Sequence, residues 1–310
     1  MLNWPWRQSR RGGLVGVEIA ADHVAFAAID TASRGPRLTA CEYLATGGDG
    51  PPMEQFAERV KALKLRRLPC NLVLPHEAYK LVLIEAPTVP EEELREAVLF
   101  RIRDMIPMSL EDAVLDLLHL PADSSRSGKR MVYGVVADRK QVQPLIQLVT
   151  DTGLILQTID VAEMALRNLS VALRPELEGA AVLRLSAGAG TLVLIRQESV
   201  YLTRQFELDY SGGLLEALPG ERLILEVQRS LDYYERQMGL LPPDAILFCG
   251  ANVSAEKLTG ELSGGLPGTP ALLSIAAADF ISEGIDESLL QLCAGAIGGA
   301  LRAADGNMAR

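Results

Sequence analysis

Apolar positions recur along this chain with two different periods, and the switches between them mark its elements. Leu14–Ile19 and Val24–Ile29 are short apolar runs around Ala20-Ala21-Asp22-His23, which reads as a β-hairpin. Arg37–Leu44 follows as a third strand and Gly47-Gly48-Asp49-Gly50-Pro51-Pro52 as a loop. Met53, Phe56, Val60 and Leu63 fall at helical spacing, and Asn71–Leu74 is a short strand closed by Pro75. Lys80–Glu85 alternates as a strand does. Thr88-Val89-Pro90-Glu91-Glu92-Glu93 then opens a helix, with an early proline and acids in the first turn. Leu94, Val98, Ile102 and Met105 form its apolar stripe, and Pro107 stops it. Ala113–Leu120 and Met131–Ala137 are strands joined by the polar turn Asp123–Lys129. Asp138 is an N-cap with Gln141 three residues on. Val142, Leu145, Ile146 and Val149 face inward from that helix, Pro144 is expected to kink it, and Gly153 sits at its C-terminal cap. Leu154–Ile159 returns as a strand and Val161–Leu173 as a helix, for which Asp160 is the expected N-cap.

Gly179–Ile195 again reads as strand, small-residue turn, strand. Laying Val17-Glu18-Ile19-Ala20 over Leu183-Arg184-Leu185-Ser186, at an offset of 166 residues, brings Ile29 onto Ile195 without a gap. Both halves of the chain therefore open with the same hairpin, a weak internal duplication. Val200–Gln205 is a third strand here too. A long helix spans about Leu218–Met238, with Ile224, Val227, Leu231, Tyr234 and Met238 on one face. Ala245–Cys249 is a strand ending at Gly250, Ala251–Leu262 a helix, Gly264–Pro270 a loop, Ala271–Leu273 a short strand and Glu287–Ala304 a closing helix.

Composition narrows the class. A chain of 310 residues has room for two domains and a real core. With 48% hydrophobic and 23% charged residues it is not a disordered chain. Forty acidic against 30 basic side chains give a net charge of -10, which repels a phosphate backbone and argues against nucleic acid as principal partner. The most apolar stretches, Ala181–Ile195 and Leu289–Leu301, fall short of the roughly 18–20 residues of a membrane span. MLNWPWRQSRRGG carries no apolar segment after its arginines and does not read as a signal peptide. Its Trp4, Trp6, Arg7, Arg10 and Arg11 suit either a peripheral contact with an anionic membrane surface or a plain tail. Cys41, Cys70, Cys249 and Cys293 are widely spaced and have no histidine near them, so they read as thiols of a reducing compartment, not as metal ligands. His23, His76 and His119 have no triad pattern around them, and no catalytic set is nominated.

Two halves that each open with a hairpin facing a shared cleft follow the plan of the actin-like ATPases. Val15-Gly16-Val17-Glu18-Ile19, the segment Ile106-Pro107-Met108-Ser109-Leu110-Glu111-Asp112-Ala113-Val114-Leu115-Asp116, Tyr201-Leu202-Thr203-Arg204 and Glu226-Val227-Gln228-Arg229-Ser230-Leu231-Asp232-Tyr233-Tyr234 resemble the PilM-like type IV pilus assembly proteins. The resemblance runs from about Leu14 to Arg302, and within the family it is strongest to the MshI-type members of the mannose-sensitive haemagglutinin (MSHA) pilus. It implies an α/β, actin-like ATPase fold: two ribonuclease-H-like halves around a cleft, with an inserted strand–helix–strand–strand subdomain. The expected division is a tail over 1–13, a first core over 14–76 and 154–178, the insert over 77–153 and a second half over 179–310.

The resemblance also implies a nucleotide cleft, with ATP or ADP and Mg²⁺ held between the two hairpin turns. The family's Asp-x-Gly at each turn lets backbone N–H groups approach phosphate and lets the aspartate hold the metal's water shell. Here the first turn reads Glu18-Ile19-Ala20, with Ala21 next, and the second Arg184-Leu185-Ser186, with Ala187 next. Glu18 can still reach a hydrated metal, whereas the Arg184 guanidinium can only offset phosphate charge. The other reading of Glu18 and Arg184 is a salt bridge across the cleft, or two solvated strand ends. Gly250-Ala251-Asn252 stands where the family has an adenosine-binding Gly-Gly turn; a bare strand-to-helix turn, with Asn252 or Ser254 near the cap, fits equally. Glu226 and Arg229 lie on the helix that approaches the ribose, or pair with each other on the surface. The implied partner is the cytoplasmic N-terminal peptide of a PilN-like inner-membrane protein, in a groove between first core and insert, with Ile106 and Pro107 as candidates and core packing as their alternative. The expectation is thus a cytoplasmic scaffold, peripheral to the inner membrane, with a degenerate cleft. An active ATPase is the alternative reading, and a sugar or acetate kinase on the same fold a weaker one.

Overall fold

The computed structural model describes residues 13–31, 35–46, 50–262, 264–282 and 284–302. The tail with Trp4, Trp6 and its arginines, the first part of the Gly47–Pro52 loop and the end of the closing helix lie outside these residues.

The first sheet is built from β1 (Gly13–Ile19), β2 (His23–Asp30), β3 (Arg37–Ala45) and, after helix α1 (Met53–Ala62), strand β4 (Pro69–Leu74). The insert follows as β5 (Tyr79–Glu85), α2 (Glu91–Ile102), β6 (Ala113–His119) and β7 (Met131–Asp138). Helix α3 (Arg139–Asp151), strand β8 (Ile155–Val161) and helix α4 (Ala162–Leu173) complete the first half. The second half runs β9 (Gly179–Ser186), β10 (Ala189–Arg196), β11 (Ser199–Glu207), α5 (Gly220–Tyr233), β12 (Ala245–Gly250), α6 (Ala255–Leu262), β13 (Pro270–Leu272), α7 (Glu287–Leu292) and α8 (Ala294–Ala300). The sheet orders are β3-β2-β1-β4-β8 and β11-β10-β9-β12-β13, the same order twice.

The duplication extends to register. Glu18 pairs with Ala25 across the first hairpin, and Arg184 with Thr191 across the second, each residue displaced by the same interval. The ladder slips between Ala28 and Ile29 in one half and between Leu194 and Ile195 in the other, again the same place. A slip of one residue would turn every apolar side chain to the wrong face, so shared register and bulge fix equivalent burial in both sheets.

Helices α4 and α8 lie between the two sheets and share one core with both, from Ala25, Ala27 and Ile29 through Leu166, Leu169 and Ile297 to Val182 and Val193. Contact this close needs small residues. A Cβ on Gly16 of β1 would overlap the backbone of Ala296, and one on Gly298 the backbone of Ala165 in α4. Asn71 and Asn168 donate to the carbonyls of Gly299 and Gly298, at 2.8 and 3.3 Å, and satisfy groups that the end of α8 leaves open.

Several expectations change. Parallel strands β4 and β8 need a crossover helix, and α3 supplies it: Val142 and Val149 pack with Phe56 and Leu154 in the first core. The separate three-stranded sheet, in order β5-β7-β6, spans Tyr79–Asp138, and α3 packs with the first core. Pro144 lies inside a continuous α3, whose Asp138 cap accepts from Lys140 N at 2.8 Å. Asp160 is not the cap of α4; Val161 is, and the Asp160 carboxylate meets Arg302 at 3.0 Å. Met105 is exposed and Ile106 takes its place in the core beneath α2. The helix after Gly250 begins at Ala255, not Ala251, and the closing helix breaks at Cys293 into α7 and α8. Among the described residues no helix is long and apolar enough to cross a membrane.

Candidate functional site

Strands β1 and β9 are the central strands of the two sheets, and residues near their ends, Glu18 and Arg184, meet beside Gly295 at the start of α8. The guanidinium grips the carboxylate with two parallel hydrogen bonds, Nη1 to Oε1 at 2.7 Å and Nη2 to Oε2 at 2.8 Å. Their side chains are only 8% and 10% exposed, so the pair is desolvated. Gly295 roofs it: an added Cβ would sit 2.6 Å from Arg184 Nη1 and inside contact distance of Glu18 Oε2. Burial pushes the Glu18 carboxyl up, but the charge and hydrogen bonds of Arg184 outweigh it, and the carboxyl sits below its ordinary value. For Arg184, burial works against the charge, and the Glu18 carboxylate more than restores it, so its pKa is raised. Of the two sequence readings, this geometry is the salt bridge across the cleft. Both carboxylate oxygens are engaged, so these side chains as they stand do not fit a hydrated metal.

The surrounding turns are stitched shut by the chain itself. Ser186 Oγ donates back to Ala189 O at 3.3 Å. The segment after β11 folds over the second turn, with Leu208 N donating to Gly188 O and Gly188 N to Tyr210 O, at 2.9 and 2.7 Å. Gly250 has φ +114°, and a Cβ there would overlap the Leu185 carbonyl, so only glycine fits. Its N–H donates to Gln291 at 2.9 Å, and Ala251 N donates to Leu185 O at 3.0 Å. This is the strand-to-helix turn; Ser254 accepts from Lys257 N at 3.3 Å as the cap, while Asn252 donates to Gly212 O. Ala20 closes the first turn, donating to His23 O at 3.0 Å, and Ala21 is exposed beside it. Ala187 is exposed in the second turn.

Glu226 is not on the surface. It is 2% exposed and gathers Arg204 from β11 at 3.2 Å, Arg222 at 3.1 Å and Arg229 at 3.6 Å. The pairing with Arg229 is therefore one of three, around a buried carboxylate. Ile106 belongs to the insert's core, and Pro107 is exposed after it.

A second buried polar cluster escaped sequence reasoning. Glu163 of α4, 0% exposed, accepts from Tyr79 OH at 2.6 Å and from Gln205 Nε2 at 2.8 Å. Burial pushes its carboxyl up, against the pull of those hydrogen bonds. Gln205 also donates to Tyr79 OH at 3.0 Å, and so does Ala162 N at 3.2 Å. The cluster joins the insert, the first half and the second half at one point. Its sequence signal was slight: a glutamate in the first turn of a helix reads as an ordinary dipole partner. Among the described residues no group of His, Cys, Asp and Glu side chains is placed to hold a metal ion.

This architecture is the actin-like ATPase fold. The chain superposes on a chain of a PilM-PilN type IV pilus biogenesis complex with a TM-score of 0.74, at 21% identity, over 93% of this chain and 97% of the other. It is also similar to the cytoplasmic domain of EpsL, an inner membrane component of the type II secretion system of Vibrio cholerae (TM-score 0.51, 11% identity, 91% and 94% of the two chains). A third likeness is to the ethanolamine utilization protein EutJ from Carboxydothermus hydrogenoformans (TM-score 0.51, 12% identity, 95% and 91%). No family model matches the sequence, and no curated protein matches it.

Proposed function

We propose that this chain is a scaffold of a type IV pilus assembly machine, of the MSHA type. It docks the cytoplasmic N-terminal peptide of a PilN-like protein at the cytoplasmic face of the inner membrane. The observation that carries this reading is the end-to-end likeness in fold to a chain of the PilM-PilN complex, much closer than to the other solved structures described. The insert adds a place for a peptide. Its α2 covers one face of the three-stranded sheet, burying Val82, Ile84, Leu115, Val132 and Val136. The opposite face turns toward the first core and is only part covered: Leu81, Leu83 and Val135 are half-buried, and Val114 is 46% exposed. An apolar strip beside an edge strand, β6, suits an extended, partly apolar peptide. A peptide that orders only on binding gives moderate affinity.

In this reading the cleft does no chemistry. The Glu18–Arg184 pair occupies the position where metal and phosphate would be held, so docking proceeds without ATP turnover, and neither ATP nor ADP with Mg²⁺ is a working cofactor. The test is fluorescence anisotropy of a labelled N-terminal peptide of the PilN-like partner with the full chain. Binding is expected, unchanged by Mg-ATP, and at least tenfold weaker in Leu83→Glu and Val114→Glu variants that remain folded. Absence of binding, or wild-type binding by both variants, would overturn the proposal.

A further inference from the structure

The insert does more than present a face to a partner. It reaches across to the second half at three separate points. First, Tyr133 of β7 lays its hydroxyl on the backbone of Thr203 in β11, accepting from N at 3.1 Å and meeting O at 3.4 Å. Second, the turn between β6 and β7 carries Asp123, which accepts from Tyr201 OH at 2.8 Å. The Tyr201 ring in turn stands edge-on to Tyr234, centroids 6.0 Å apart, at the irregular last turn that follows α5. In the same turn Arg126 N donates to Gln237 O at 3.1 Å. Arg126 lies against Gly239, whose φ of +73° and missing side chain leave the space: a Cβ there would be 2.7 Å from Arg126 Nε. Third, Tyr79 at the root of the insert joins Glu163 of the first half to Gln205 of the second.

These contacts are not the Glu18–Arg184 pair and do not pass through it. They sit along β11 and the end of α5, on the insert side of the cleft, whereas the ion pair joins the two central strands. We infer that the insert is a strap that fixes the second half against the first, so that the two halves do not swing about the cleft. The apolar core around α4 and α8 joins the halves on one side of the ion pair, and the insert adds a second, hydrogen-bonded attachment at β11 and the end of α5, so the halves are held at two separated places. The tyrosine hydroxyls make the strap specific. The buried Thr203 and the half-buried Gln205 lose these partners if the halves part.

The inference does not depend on the identity of any partner, and its test uses none. Spin labels at Glu58→Cys on α1 and Glu221→Cys on α5, in a Cys41→Ser background of the full chain, report the distance between the halves by pulsed electron resonance. The unmodified strap should give one narrow distance, the same with and without Mg-ATP. A Tyr133→Phe/Tyr201→Phe variant keeps both rings and deletes only hydroxyls, so it should fold. It should add a broad, longer component. A second variant, with residues 121–129 replaced by a two-residue Asn-Gly turn, should do the same. The inference is overturned if the unmodified strap already shows two distances, or if both variants fold and keep the single one.

Discussion

The two hairpins at the centre of the molecule are the same object in geometry and opposites in chemistry. Register, bulge and neighbouring strands repeat at a fixed interval, yet the equivalent position holds a carboxylate in the first half and a guanidinium in the second. Those positions face one another. The two side chains make one bidentate ion pair, roofed by Gly295. Equivalent backbone geometry in a duplicated fold can thus carry different chemistry, and side chains at a symmetric position can satisfy each other.

Removing one partner breaks the comparison hardest. Arg184→Met or Glu18→Leu leaves a lone buried charge, and chemical denaturation should show a loss of about 3–5 kcal/mol. Two double variants sharpen the result. Glu18→Arg/Arg184→Glu should recover most of that loss, because the positions are near-equivalent. Glu18→Leu/Arg184→Met should be as stable as the wild type or more so. A charge-swapped protein no more stable than the single variants would show that the positions are not interchangeable.

A smaller effect is expected at the roof. Gly295→Ala puts a methyl group against both charged side chains and should cost about 1–3 kcal/mol by the same measurement. Gly260→Ala, in open space on α6, is the control and should not destabilise. Equal effects at both sites would mean that the roof is not packed as described.

The smallest effects are in pH. Glu18 has a lowered pKa in the folded chain, so its contribution is complete above the ordinary carboxylate range and is lost as the solution is acidified through the folded value. Glu163 has a raised pKa, so its contribution is present at low pH and is lost as pH rises through the folded value. Two buried glutamates thus tilt stability in opposite directions. Glu163→Gln should flatten the decline on the alkaline side of the carboxylate range in thermal melts taken across pH, and an unchanged slope would contradict the assignment.

Much of this was legible in the residues. Hairpins, the cap at Asp138, the left-handed Gly153 after α3 and the alternation of β5 follow from local pattern, and the 166-residue offset between the halves reappears as ladder register. What did not follow was anything set by contact between distant segments. The spacing of α2 favoured Met105 for its stripe, but the chain turns after Ile102 into a tighter helix and buries Ile106. Glu226 and Arg229 are one helical turn apart, and nothing local announces that Arg204 arrives from β11 to surround the same carboxylate. Glu163 is invisible for the same reason: its partners come from residues 84 positions before it and 42 after. The glycines and alanines of α8 read only as part of the apolar stretch Leu289–Leu301, whereas their smallness is what lets two sheets and two helices meet.

The account stands or falls on what occupies the place between the two hairpins. Isothermal titration of the full-length wild-type protein with ATP, with and without Mg²⁺, measures that directly. The Glu18–Arg184 pair predicts no saturable heat in either condition, and the same outcome for ADP. A saturable, Mg²⁺-dependent binding isotherm that disappears in Glu18→Gln would contradict it, because the carboxylate would then be serving a metal and not the arginine beside it.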